Sequence, residues 1–310
     1  MPHTPNPMIQ IKDFRMQFGH NTVIDDLSFD VQPGETFGFL GSNGSGKTTT
    51  IRALLGIYRP TGGELLVNGQ QYHPGMSNLL GYLPEERGLY KKESVISTMV
   101  FFGQLKQMTA ADARRWSLSY LERVGLADKA AIALEKLSGG QQQKIQVGVT
   151  IMNDPELLIL DEPTKGFDPV NRRLLMDIVE EHSRRGATVV LVTHQMEEVE
   201  RLCDRIVLLK DGRRHLYGRV DDIRAEHGSD LIEVEFEGEL PVNPALYTLK
   251  NPTKRSGKLV PHQGITPPEI ARHLAKHPKL NLYRFEVKRA SLDDIFVDIY
   301  SAEPAGSATS

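Results

Sequence analysis

Eight residues, Gly41 to Thr48, read GSNGSGKT and directly follow a short apolar run, TFGFL, from Thr36 to Leu40. The pattern G-x-x-x-x-G-K-[ST], set between an apolar strand and a helix, leaves the chain little freedom in how it folds there. It predicts a buried strand, a glycine-rich loop and a helix from Gly46 to Leu55. Such a loop suits a phosphate group. Backbone amides from Gly41, Ser42, Asn43, Gly44, Ser45 and Gly46 can wrap it. Lys47 can reach β- and γ-phosphates, the Thr48 hydroxyl can ligate Mg²⁺, and Thr49 completes the set. The competing reading is a glycine-rich turn without a ligand.

Strand and helix alternate further along. Ile9 to Phe14 and Asp25 to Val31 read as strands. Leu157 to Leu160 (LLIL) and Thr188 to Thr193 (TVVLVT) read as fully buried parallel strands, with the helix MDIVEEHSRR between them. Arg205 to Gly212 reads as a strand ending in a turn, and residues from about 93 to 135 as mainly helical. This order predicts an α/β core with a largely parallel sheet.

The character changes after about Asp211. LIEVEFEG puts Ile232, Val234 and Phe236 on one strand face and Glu233, Glu235 and Glu237 on the other. PPEIARHLAKH opens on a helix-start proline pair, with Ile270 and Leu274 on one face. LYRFEVKR is another alternating strand. SLDDIFVDIY aligns Leu292, Ile295, Phe296 and Ile299 behind a Ser291/Asp294 capping pattern. The expected organisation is a large domain over residues 8–225, with a helical subdomain at about 86–145. A small α+β domain over 226–302 and a disordered tail over 303–310 follow.

Composition narrows the class. Of 310 residues, 39% are hydrophobic and 25% charged, ordinary values for a chain with a real core. The formal net charge of -3 gives no basic signature for nucleic acid. Cys203 is the single cysteine, which excludes a disulfide within the chain and a cysteine zinc site and suits a reducing compartment. No apolar run approaches the ~20 residues that span a bilayer. The opening MPHTPNPM is not a signal peptide, so a cytosolic location is expected unless a partner holds the chain elsewhere.

A second anion site is written into LSGGQQQK, Leu137 to Lys144. Ser138 can cap a helix, and Gln141 stands at the capping-box spacing. Gly139 and Gly140 lower helix propensity but leave N–H groups uncovered at the positive end of the helix dipole. An ordinary capping box explains Ser138 and Gln141 but not the two glycines. Farther on, LLILDE puts Asp161 and Glu162 at the end of a buried strand. Asp161 suits a contact to Mg²⁺, and Glu162 suits a base that polarises an attacking water. His194 ends the next buried strand. Beside a nucleotide it could bond the γ-phosphate and position that water; alone it would be an ordinary strand-end histidine.

In order, the phosphate loop, LSGGQ, LLILDE, Asp168 and His194 resemble the nucleotide-binding domain of ABC transporters over residues 8 to 225. That resemblance implies two domains paired head to tail, with ATP between them. Ser138, Gly139, Gly140 and Gln141 of one domain would then contact the γ-phosphate held by the other. It implies that Phe18 stacks on adenine, the alternative being a core phenylalanine, and that Asp168 couples the two sites. Two positions depart from the family. Glu85 in GYLPEE stands where glutamine is usual; its carboxylate could still ligate Mg²⁺ but adds negative charge near the phosphates. Lys165 stands where a small residue is usual and could alter coupling across the dimer.

GYLPEERGLY resembles an exporter-type branch that includes sodium-exporting and antibiotic-resistance ATPases. The C-terminal module, ending in SLDDIF, resembles the small domain appended to that branch, where dimer stabilisation or regulation is its expected work. His273 and His277 there are expected to be solvated, since their i,i+4 spacing lacks a third ligand for a metal. The expected protein is an ATP-hydrolysing subunit using ATP and Mg²⁺ on the cytosolic face of a separate polytopic membrane subunit. Arg87 to Lys92 would lie where that subunit docks, and a homodimer is the simpler pairing. The rival is a soluble switch of the same class acting on ribosomes or DNA. Such relatives usually carry two such domains in one chain, coiled-coil arms or cysteine clusters, and the net acidity argues against a nucleic-acid partner.

Overall fold

A computed structural model describes residues 6–86, 88–227, 230–289 and 291–301. They form two compact units that divide between Val220 and Asp221. The first contains β1 (Ile9–Phe18), β2 (Asn21–Val31), β3 (Thr36–Gly41), α1 (Lys47–Leu54), β4 (Gly62–Val67), β5 (Leu80–Leu83), α2 (Val95–Leu105) and α3 (Ala110–Arg123). It continues with α4 (Gly139–Ile151), β6 (Leu157–Asp161), α5 (Pro169–Arg184), β7 (Thr188–Thr193), α6 (Met196–Leu202), β8 (Arg205–Lys210) and β9 (Arg213–Arg219). From the unit boundary onward come α7 (Val220–His227), β10 (Asp230–Gly238), β11 (Tyr247–Lys250), β12 (Ser256–Pro261), α8 (Pro267–Ala275), β13 (Leu280–Arg289) and α9 (Leu292–Ser301).

The six-stranded sheet runs β5-β6-β7-β3-β8-β9 and is parallel except for β9. Every residue of β3, β6 and β7 is buried, which is why their sequences are unbroken apolar runs rather than alternating ones. Their C-terminal ends carry Gly41, Asp161 and the residue before His194, so one edge of the sheet gathers the chemistry.

A second sheet, β2-β1-β4, is antiparallel. Here β1 runs past the expected Phe14 to Phe18. Alternation breaks because Asp13 takes φ 47 and the register shifts between Ile11 and Phe14, a bulge and not a strand end. The sequence reading missed β4, since its opening Gly62 and Gly63 look like a turn. Gly63 is there because a Cβ would lie 2.4 Å from the carbonyl oxygens of Lys12 and Asp13.

The helical stretch is α2 and α3, capped by Ser94 and Thr109. Lys106, just past α2, fixes the far end of α4 by donating to Thr150 O at 2.8 Å and Met152 O at 3.1 Å. A cation there meets the negative end of the α4 dipole. Burial nonetheless pulls the Lys106 ammonium down from 10.5 to about 8. Between those values the folded chain holds fewer protons at this site than the unfolded chain, so stability from this group rises as pH climbs from 8 to 10.5. The full gain is at most about 3 kcal/mol. Urea denaturation at the two ends of that window should show the Lys106→Met variant lacking this gain relative to wild type; parallel pH profiles would refute the assignment.

The second unit is an antiparallel sheet, β11-β12-β10-β13, packed against α8. Ile232, Val234 and Phe236 are buried as expected from alternation, and Ile270 and Leu274 of α8 are fully enclosed. Thr266 and Glu269 form a complete capping box on α8, and Ser291 and Asp294 bond reciprocally at the start of α9. His273 and His277, expected to be solvated, are half-buried. His273 sits 6.3 Å from the Tyr247 ring, and His273 Nε2 and His277 Nδ1 are buried without partners. His273 lies on α8 one residue before the buried Leu274, and His277 stands two residues past the end of that helix. Among the described residues no cluster of three His, Cys, Asp or Glu side chains is arranged to hold a metal ion. The expected tail at 303–310 and Arg87 of the expected docking segment lie outside the described residues.

Candidate nucleotide site

β3 delivers the chain into a glycine loop, and α1 begins at Lys47. Gly44 and Gly46 hold φ of 82 and 107, left-handed values that glycine adopts without strain. Gly46 also has no room: a Cβ would sit 2.3 Å from Ile24 Cδ1. Gly44 has nothing within 4 Å, so its freedom serves the open side of the loop.

That open side faces a cavity of about 460 Å³, lined by Asn43, Gly44, Gly46, Lys47, Thr48 and Thr49 on one wall. Glu85, Asp161, Glu162, Lys165 and His194 line the rest, with Val23 from β2. The carbonyls of Gly41 and Ser42 hold Lys47 Nζ at 2.7 and 3.0 Å. Burial lowers the Lys47 pKa, opposed by Glu162, Asp161 and Glu85. Ser45, in the same loop, carries a buried hydroxyl with no partner in the chain.

Thr48 Oγ1 donates to Asp161 Oδ2 at 3.1 Å. Burial pushes the Asp161 carboxyl up to about 6, with Glu85 and Glu162 adding to the rise. A buried carboxylate beside two others is a place where a divalent cation relieves electrostatic cost. Glu162 follows at φ 48, a left-handed conformation that costs a side-chain-bearing residue roughly 1–2 kcal/mol. Its backbone N–H donates to Val192 O at 2.8 Å, and its Oε1 lies 2.8 Å from His194 Nδ1. The carboxylate and imidazole thus share one wall. Behind them, buried Glu198 accepts from Thr164 Oγ1 at 2.5 Å and Thr193 Oγ1 at 3.4 Å. It ties the segment after Glu162 to the residue before His194. The sequence reading missed Glu198; its signal is an acid between Met196 and Val199, which mark the buried face of α6.

The other expected residues stand outside this cavity. Ser138 and Gln141 form both halves of the capping box, Ser138 N to Gln141 Oε1 at 2.9 Å and Gln141 N to Ser138 Oγ at 3.3 Å. With Gly139 and Gly140 they open α4 and do not line the cavity of their own chain. Asp168 caps α5, accepting from Val170 N at 3.0 Å and Asn171 N at 2.9 Å. Phe18 is 45% exposed and meets Tyr58 edge-on at 5.5 Å, so it is no core phenylalanine.

An amide-rich loop, a lysine, a hydroxyl within bonding distance of a carboxylate and further acids nearby fit a polyphosphate with a hard divalent cation. Fold and site together define a nucleotide-binding protein built around a phosphate loop. Comparison with known proteins agrees. The family model described as "ABC transporter" matches residues 24–165, and that of the "ATP-binding protein DrrA1-3-like, C-terminal domain" matches 218–300. An ABC transporter ATP-binding protein of Methanocaldococcus jannaschii is 38% identical over 292 residues, covering 94% of this chain and 99% of that one. The Nod factor export ATP-binding protein I of Paraburkholderia xenovorans is 34% identical over 304 residues, covering 96% and 99%. A solved ATP-binding subunit of an ABC transporter superposes with a TM-score of 0.66 at 28% identity, over 71% of this chain and 92% of the other. The chain belongs to the ATP-binding proteins of ABC transporters.

Proposed function

We propose that this chain hydrolyses ATP to drive export through a separate membrane subunit, working as a head-to-tail homodimer on the cytoplasmic face. The observation that carries hydrolysis is the Glu162–His194 pair, 2.8 Å apart in the lining of the cavity that the glycine loop also lines. In this reading Lys47 and the loop amides of residues 41–49 hold the phosphates. Glu162 takes the proton from the attacking water, and His194 orients the terminal phosphate. Thr48, Asp161 and Glu85 would hold Mg²⁺, which neutralises charge on the phosphates when bound. Phe18, on an exposed strand end, offers a ring to adenine.

The homodimer supplies what one chain lacks. Ser138 to Gln141 form a helix N-terminus that does not line the cavity of its own chain, which suits the nucleotide of a second copy. Asp168 would couple the two sites. No helix among the described residues is long and apolar enough to cross a membrane; in this reading a separate subunit supplies the membrane path. Export rather than import rests on likeness to the Nod factor export relative. The second unit would steady the dimer or regulate it.

Copurification tests the whole reading. Tagged Glu162→Gln chain, held with ATP and Mg²⁺ in mild detergent extracts of native membranes, should retain a polytopic membrane protein at matched stoichiometry. Retention of ribosomes, DNA or soluble protein alone would overturn it.

A further inference from the structure

Glu85 and Lys165 stand 80 positions apart in the chain and meet on the cavity wall, Lys165 Nζ 2.5 Å from Glu85 Oε1. Glu85 follows β5. Lys165 sits in the turn after the strained Glu162, its N–H donating to Glu162 O at 3.1 Å. The two side chains are 39% and 62% exposed. Exposed pairs of this kind contribute little to stability, so stability does not account for a lysine here.

Charge does. Without this pair the lining sets Lys47 against Asp161 and Glu162. The pair adds one charge of each sign and leaves the sum unchanged. A polyphosphate carrying a divalent cation brings both signs as well, and the two ion pairs can exchange partners. The carboxylate goes to the cation and the ammonium to phosphate oxygens, so that no charge is left alone. The four-carbon stem of lysine gives it the reach and freedom for such a change.

We propose that Lys165 is a second phosphate-binding cation of this cavity, stored on Glu85 and released to the terminal phosphate when Glu85 turns to the divalent cation. This rests on the cavity being an ATP site. Lys47, clamped on the loop carbonyls, is the fixed cation; Lys165 is the movable one.

Calorimetric titration of ATP and ADP, with Mg²⁺ and with EDTA, separates the possibilities for wild type, Lys165→Gln, Glu85→Gln and the double variant. Lys165→Gln should weaken Mg·ATP binding about tenfold and Mg·ADP binding less than about twofold, because the contact is to the terminal phosphate. In EDTA, Glu85→Gln should tighten ATP about threefold by releasing Lys165. That gain should vanish in the double variant. Melting temperatures should match wild type throughout. Equal losses for ATP and ADP would mean a merely structural lysine and overturn the proposal, as would unchanged ATP binding by Lys165→Gln. Failure of the wild type itself to bind ATP would instead bring down the site reading, and this proposal with it.

Discussion

Glu162→Gln is expected to keep ATP binding and lose turnover by about 10²- to 10⁴-fold, the range a positioned general base contributes. The amide keeps the size of the carboxylate and can still bond His194, so the 2.8 Å contact seen here survives in some form. What it loses is the capacity to accept a proton from water. If hydrolysis also releases the dimer, the variant should accumulate as a dimer with ATP and Mg²⁺. Light scattering after gel filtration reads that state, and a phosphate-release assay reads turnover. Turnover within about threefold of wild type would remove Glu162 from the role of base.

Gly140→Asp should abolish ATP hydrolysis, by about a hundredfold or more, while leaving the monomer folded and able to bind nucleotide. The reasoning starts from packing. A Cβ at Gly140 would meet only the Phe167 ring, at 3.6 and 3.7 Å, an ordinary van der Waals distance. Nothing inside the chain therefore requires glycine there, unlike Gly148, where a Cβ would lie 2.4 Å from Tyr120 Cε1. If the requirement comes from a second copy's nucleotide, a carboxylate at this helix start places negative charge against phosphate. Melting temperature and ATP affinity of the isolated chain should stay near wild type, and ATP-dependent dimerisation should be lost. Full hydrolysis by Gly140→Asp would mean that α4 does not face a partner's phosphate.

The parts of the fold that sequence made legible share one cause. β3, β6 and β7 are buried on both faces, so their sequences are short apolar runs, each followed at once by polar chemistry at Gly41, Asp161 or His194. The caps at Ser138 and Ser291 were readable because each closes within four residues. What local pattern hides is long-range. The bulge at Asp13 cut β1 short in the reading, and the glycines of β4 make sense only when the Lys12 and Asp13 carbonyls lie against them. Glu85 and Lys165 each stood out alone as a departure, yet their contact belongs to the folded sheet edge and to no local pattern. His273 and His277 are half-buried rather than free in solvent, because residue spacing does not say where a helix ends or what covers it.

The left-handed backbone at Glu162 has a consequence for anyone breeding hardier versions of this protein. Glycine or asparagine would sit at φ 48 with less strain than glutamate. A library sorted by heat tolerance alone would therefore be drawn toward those residues at position 162, and each winner would have discarded the proposed base. Selection for robustness and selection for turnover pull against each other at this one backbone angle. A natural chain with the same glycine loop but asparagine or glycine at that place would be expected to hold nucleotide without spending it.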